Sequence, residues 1–151
     1  EICACLVGSE MCIRDSVDEA DYPGSTFSDV SVGQWYAPSV AWAASEGIVS
    51  GTGDGRFEPN RNITRQEMAQ IMAGYLAWKG VDTHPTADPS AYNIPDRADI
   101  APWALDSVCF CYEKGLLSGG DHGFAPLDNA TRAQACVVLC GLNDFLRKTE
   151  G

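Results

Sequence analysis

Glu46-Gly47-Ile48-Val49-Ser50-Gly51 returns later in the chain as Glu113-Lys114-Gly115-Leu116-Leu117-Ser118-Gly119, and the same order of landmarks surrounds both copies. Ahead of them, Phe27-Ser28-Asp29 is answered by Ile94-Pro95-Asp96 and Tyr36-Ala37 by Trp103-Ala104. Behind them, Gly55-Arg56-Phe57-Glu58-Pro59 is answered by Gly123-Phe124-Ala125-Pro126, and Asn62-Ile63-Thr64-Arg65 by Asn129-Ala130-Thr131-Arg132. The offset is 67 residues at both ends and 68 in the middle, as in a duplicated unit that has gained and lost one residue. The first repeat spans 27–79 and the second 94–147. A leader (1–26), a polar, proline-punctuated linker (80–93) and a short tail (148–151) make up the rest.

Within each repeat the periodicity predicts helix, loop, helix. Over 35–45, Tyr36, Val40, Ala43 and Ala44 fall at helical spacing, and Gly47 suits a left-handed cap at the helix end. Met68, Ile71, Met72, Tyr75 and Leu76 follow the i, i+3, i+4, i+7, i+8 pattern, which Ala135, Val138, Leu139 and Leu142 repeat. Phe57, after a glycine-rich loop, is expected to plug the space between the two helices. Units this small cannot bury their apolar faces alone, so they should pack on one another. The expected fold is all-α, built from tandem helix–loop–helix repeats.

Composition narrows the function. In 151 residues, 45% are hydrophobic, enough for a core. Lys and Arg total 10 against 21 Asp and Glu, a formal charge of -11, which argues against nucleic acid or an anionic membrane surface as the main partner. No apolar run approaches the ~18 residues of a membrane-spanning helix, so no membrane insertion is expected. Residues 1–16, EICACLVGSEMCIRDS, lack the basic start and unbroken apolar stretch of an export signal. CLVGSEMCIRDS resembles translated sequencing-adapter read-through; the alternative is a genuine, poorly ordered leader. On either reading the segment is left out of the fold, and the true N-terminus is expected to be missing.

The motifs F-x-D, W-Y-A, G-I-V-S-G, D-G-x-F-x-P and I-T-R-x-E, in that order and in duplicate from Phe27 to Leu146, resemble the S-layer homology module of bacterial surface proteins. The resemblance implies a pseudo-threefold bundle of three modules with grooves between neighbours. It also implies a non-catalytic anchor, outside the cell at the wall or S-layer, that binds a pyruvylated secondary cell wall polysaccharide. A third module, before or after this pair, or another protein of the family is then an expected partner. Two alternatives stay open. The chain could be a fragment of an envelope glycosidase or peptidoglycan hydrolase whose catalytic domain lies elsewhere, or a decayed structural pair that binds no polymer.

The candidate binding residues are Arg65, Arg132, Asp29, Asp96, Trp35, Gly51 and Gly119. Thr64-Arg65-Gln66-Glu67 matches a capping box, and Thr131-Arg132-Ala133-Gln134 fits with Gln in the Glu role. That explains the Thr and the Glu, but not a cation facing the positive end of the helix dipole at the same place in both repeats. A bound carboxylate, such as that of a ketal-linked pyruvate, would reverse the sign; an ordinary ion pair or a solvated Arg is the plainer reading. The resemblance implies Asp29 and Asp96 as groove residues, and a turn cap explains them equally well. Trp35 suits half-buried core better than sugar stacking. Gly51 and Gly119 could admit a saccharide close to the backbone, though loop geometry alone would demand them.

No cofactor and no metal is expected. Cys109, Cys111, Cys136 and Cys140 have a count that could suit zinc, but they map onto Ala41, Ala43, Ala69 and Ala73 of the first repeat. Buried, metal-free thiols acting as small apolar side chains are the simpler account. The sequons at Asn62 and Asn129 and the calcium-like Asp54-Gly55 are read as incidental.

Overall fold

The computed structural model describes Tyr22 and residues 26–120, 123–130 and 132–149. The leader segment 1–16 lies outside them. Four α-helices carry the described chain: α1 (Ala37–Ser45), α2 (Arg65–Trp78), α3 (Leu105–Glu113) and α4 (Arg132–Thr149). Three single 3₁₀ turns lie between α2 and α3. Among the described residues the only β features are isolated bridges, so the class is all-α. No helix among them is long and apolar enough to cross a membrane.

The chain forms two compact units, Glu1–Arg61 and Asn62–Gly151. These units and the sequence repeats are different divisions, because α2 belongs to the first repeat in sequence and to the second unit in space.

In the first unit, α1 begins at Ala37, two residues later than its periodicity suggests, with Pro38 in its first turn. It ends as its glycine foretells. Gly47 takes φ +71°, its N–H bonds the Ala44 carbonyl, and Ile48 N–H bonds the Ala43 carbonyl. This pair of bonds satisfies the last carbonyls of the helix. Gly115 closes α3 in the same way, with Leu116 N–H on the Cys111 carbonyl. Val30, Ala37 and Val40 form a small core with Phe27, Tyr36 and Phe57. The Phe27 and Phe57 rings lie 5.3 Å apart in this core.

The second unit holds the larger core. Met68, Met72 and Leu76 from α2 meet Val108, Phe110 and Cys111 from α3, with Phe124 and Val138 alongside. Each such side chain, fully buried, contributes about 1.5–3 kcal/mol. Ile71, Tyr75 and Leu142, from the same periodic pattern, are half-buried, and the Leu139 side chain lies outside the description. The capping box forms as read. Thr64 Oγ1 accepts from Glu67 N–H, and Glu67 Oε2 accepts from Thr64 N–H at 2.8 Å. The Thr131 box falls outside the described residues.

The segment between the repeats is tied into this unit. Glu113, at the end of α3, accepts from Thr86 N–H at 2.9 Å and from the Tyr92 hydroxyl, and pairs with Lys114 at 2.7 Å. The Lys114 ammonium, then Tyr92 and Thr86, lower the Glu113 pKa from 4.5 to about 2. A depressed carboxyl pKa stabilises the fold fully above pH 4.5, and that contribution is lost as the pH falls toward 2. The Thr86 amide resonance should therefore shift over that acid window, and Glu113→Gln should abolish the step. An unchanged titration in the variant would show that Glu113 does not hold the segment.

Candidate functional site

Asp29 and Asp96 do the same job in each repeat. Asp29 accepts from Phe57 N–H at 2.8 Å and from Glu58 N–H at 2.7 Å, one bond per oxygen. Asp96 accepts from Phe124 N–H at 2.7 Å and Ala125 N–H at 2.6 Å. Glu58 and Ala125 are non-glycine residues with φ of 57° and 54°. The left-handed turn aims two successive N–H groups at one point, and the carboxylate there offsets its cost. The N–H of Phe57, followed by that of Glu58, holds the Asp29 carboxyl below the usual range. Both aspartates are loop clasps rather than caps of the helix that follows.

Arg65 opens α2 and is 6% exposed. Its Nε donates to the Phe124 carbonyl and its Nη2 to the Ser118 carbonyl, each at 2.7 Å, and the guanidinium carbon lies 4.9 Å from the Phe124 ring centre. Burial lowers its pKa, with the Asp128 and Asp96 carboxylates opposing. Two carbonyl dipoles and two nearby acids thus answer the cation that the helix dipole disfavours. Nη1 takes no part in those two bonds.

Arg65, Asp96 and Gly119 converge on one loop, 118–125. A Cβ on Gly119 would stand 2.6 Å from the Gly123 carbonyl oxygen, a backbone atom that cannot swing away. Gly51 is pinched likewise, since a Cβ there would clash with the Arg56 carbonyl oxygen, in the loop that Asp29 clasps. Loop geometry alone therefore accounts for both glycines. Arg132 starts α4, and its side chain is outside the description.

Trp35 corrects the sequence reading, which favoured half-buried core. It is 61% exposed, edge-on to Tyr36 at 5.5 Å. Its neighbour Tyr36 is the N-cap of α1, so Trp35 lies ahead of the helix. The structure adds Trp103, 56% exposed in the turn Pro102–Ala104. Helices α1 and α3 correspond at an offset of 68 residues, not 67, which makes Trp103 the mate of Trp35. Ala101, two residues earlier, donates its N–H to Gln66 Oε1 at 2.9 Å, so Trp103 lies near the α2 end that carries Arg65.

The cysteines divide. Cys109 and Cys111 are buried, and burial pushes the Cys111 thiol up to about 12. Cys136 and Cys140 are exposed, contrary to the expectation that all four are buried. Nothing in the described structure packs over that face of α4. Among the described residues no group of three or more His, Cys, Asp or Glu is arranged to hold a metal ion.

A sequence profile of the S-layer homology domain matches residues 26–69 and 93–136, the two repeats in register. The chain belongs to the S-layer homology family. Such domains are non-catalytic modules that anchor proteins to the bacterial cell wall. An amylopullulanase of Thermoanaerobacterium thermosulfurigenes is 34% identical over 128 residues, 84% of this chain and 7% of that protein. The endo-1,4-beta-xylanase A of Thermoanaerobacterium saccharolyticum is 44% identical over 111 residues, 74% of this chain and 9% of that protein. The S-layer protein sap of Bacillus anthracis is 32% identical over 114 residues, 76% and 13% respectively. The chain thus spans a small fraction of the curated relatives it matches.

Proposed function

We propose that this S-layer homology pair holds a longer protein at the outer face of a bacterial cell by binding an acidic secondary cell wall polysaccharide, with a pyruvyl carboxylate as the recognised group. The observation that carries this reading is a cation fixed at the start of α2, a helix whose Gln66 binds the backbone two residues before an exposed aromatic ring. Arg65 is immobilised by two carbonyls at a helix N-terminus, and Trp103 stands exposed near the same helix end. A guanidinium held in advance loses little entropy on meeting a carboxylate, and an exposed indole offers a flat apolar face to a sugar ring. Asp29, Asp96, Gly51 and Gly119 shape the loops that border such sites. Trp35 and Arg132 are the corresponding aromatic and cation of the other repeat positions.

The chain itself catalyses nothing on this reading. The enzymes among its relatives support a parent protein in which modules of this kind tether a wall-directed activity carried elsewhere.

Trp103→Ala separates binding from folding, because the side chain is largely exposed. Loss of one stacking face should weaken binding of pyruvylated wall polymer roughly tenfold, about 1.4 kcal/mol, with the thermal midpoint unchanged. Unaltered affinity would remove Trp103 from the site.

A further inference from the structure

We infer that the loop of the first repeat carries a binding site of its own, a charged pocket that takes a single sugar whose ring bears a carboxylate, a hexuronic acid. Asp29, Arg56, Glu58, Pro59, Asn60 and Arg61 line a cavity of about 390 Å³. All six belong to the first unit, whereas Arg65 belongs to the second. The site therefore does not rest on the pyruvyl reading above.

The second repeat builds the same loop without these charges. Asp96 clasps Phe124 and Ala125 as Asp29 clasps Phe57 and Glu58. The left-handed φ recurs at Ala125, Pro126 answers Pro59, and the bond from Arg61 N–H to the Glu58 carbonyl recurs from Asp128 to Ala125. Yet Arg56, Glu58, Asn60 and Arg61 are replaced by Gly123, Ala125, Leu127 and Asp128. At Gly123 a side chain is excluded, because a Cβ there would run into the Asp96 carboxylate. The aspartate, the phenylalanine and the proline thus suffice to fold the loop. The four polar side chains of the first copy serve no such purpose, and they gather in one cavity, as the few convergent polar groups of a ligand site do.

The acids of this pocket are already answered. Both Asp29 oxygens accept backbone N–H groups, and Glu58 Oε2 accepts from Arg61 Nε at 2.9 Å. Arg56 is the cation without an ion-pair partner among the described residues. The Phe57 N–H does most to lower the Asp29 pKa and the Arg56 charge adds to it, so the guanidinium lies within electrostatic reach of the clasp. A planar guanidinium grips a carboxylate through two parallel hydrogen bonds. Two arginines against two carboxylates leave the pocket neutral, which suits one negative charge; a phosphate dianion would face both acids. Glu58 and Asn60 supply acceptors and donors for ring hydroxyls, and Pro59 an apolar surface for the ring. One carboxylate, several hydroxyls and an apolar ring face together describe a uronic acid.

The probe is methyl glucuronide, titrated into the full chain and followed by heteronuclear NMR, with methyl glucoside and glucose-6-phosphate as controls. The glucuronide should shift the Arg56 Nε–H and Asn60 side-chain amide resonances saturably, with an affinity on the order of millimolar. The two controls should bind roughly tenfold more weakly or worse. Arg56→Ala should weaken glucuronide binding to the same extent with the thermal midpoint unchanged, since the second repeat folds this loop with glycine there. If alanine disturbs the loop, Arg56→Gln keeps the side-chain length and removes only the charge. An equal response to the neutral glucoside, or tighter binding of the sugar phosphate, would overturn the proposal. So would the absence of shifts at Arg56 and Asn60, whatever the pyruvylated polymer does.

Discussion

Arg65→Ala lowers the stability of the second unit by about 2–4 kcal/mol, because it removes one buried and one part-buried hydrogen bond to backbone carbonyls and opens a gap beside the Phe124 ring. Arg65 donates to the Phe124 and Ser118 carbonyls, which lie 59 and 53 residues further along the chain. Removing it disconnects the start of α2 from loop 118–125. Urea denaturation followed by tryptophan fluorescence should show an earlier midpoint, with Arg65→Lys recovering only part of the loss. An ammonium cannot reach both acceptors in the geometry of the planar fork. A midpoint within error of wild type would mean that the guanidinium is a passive neighbour of the loop.

Asp96→Ala is the second large effect. It removes both acceptors from the Phe124 and Ala125 N–H groups and leaves the left-handed conformation at Ala125 unsupported. The expected cost is about 2–3 kcal/mol, from two charge-assisted bonds to backbone donors. Asp96→Asn keeps one acceptor oxygen and should recover roughly half. Because the clasp shapes the loop that Arg65 grips, the double variant Arg65→Ala/Asp96→Ala should cost less than the sum of the singles. Strict additivity would show that clasp and arginine act independently.

What was readable in the sequence was local. The Thr64–Glu67 capping box and the Gly47 helix end depend on residues within a few positions of one another, and both form as their spacing suggests. The duplicated landmarks fixed the class and the family for the same reason: order along the chain survives without knowledge of contacts. The aspartates were harder. Their partners lie 28 and 29 residues away, and no periodicity links a carboxylate to a turn at that distance. The puzzle of a cation in the first turn of α2 was visible, but its acceptors were backbone carbonyls, which carry no sequence signature at all. The cysteines failed instructively. Cys136 and Cys140 replace buried alanines of the first repeat, yet burial belongs to the neighbour that covers a face, and α3 covers α2 whereas no described element covers that face of α4. Trp35 precedes the start of α1 at Ala37, and its indole is exposed where a large aromatic at the edge of a small bundle is usually half-buried.

Calorimetric titration of the intact chain with wall polymer prepared with and without its pyruvyl groups tests the central claim most directly. A pyruvyl carboxylate read by the arginine of a groove should give saturable binding, weakened roughly ten- to a hundredfold when the pyruvyl groups are removed, about 1.4–2.7 kcal/mol. Binding should also weaken moderately as salt rises, since a recessed charge is screened less than a surface patch. Equal affinity for the two polymers, or no binding to either by the folded chain, would contradict the account.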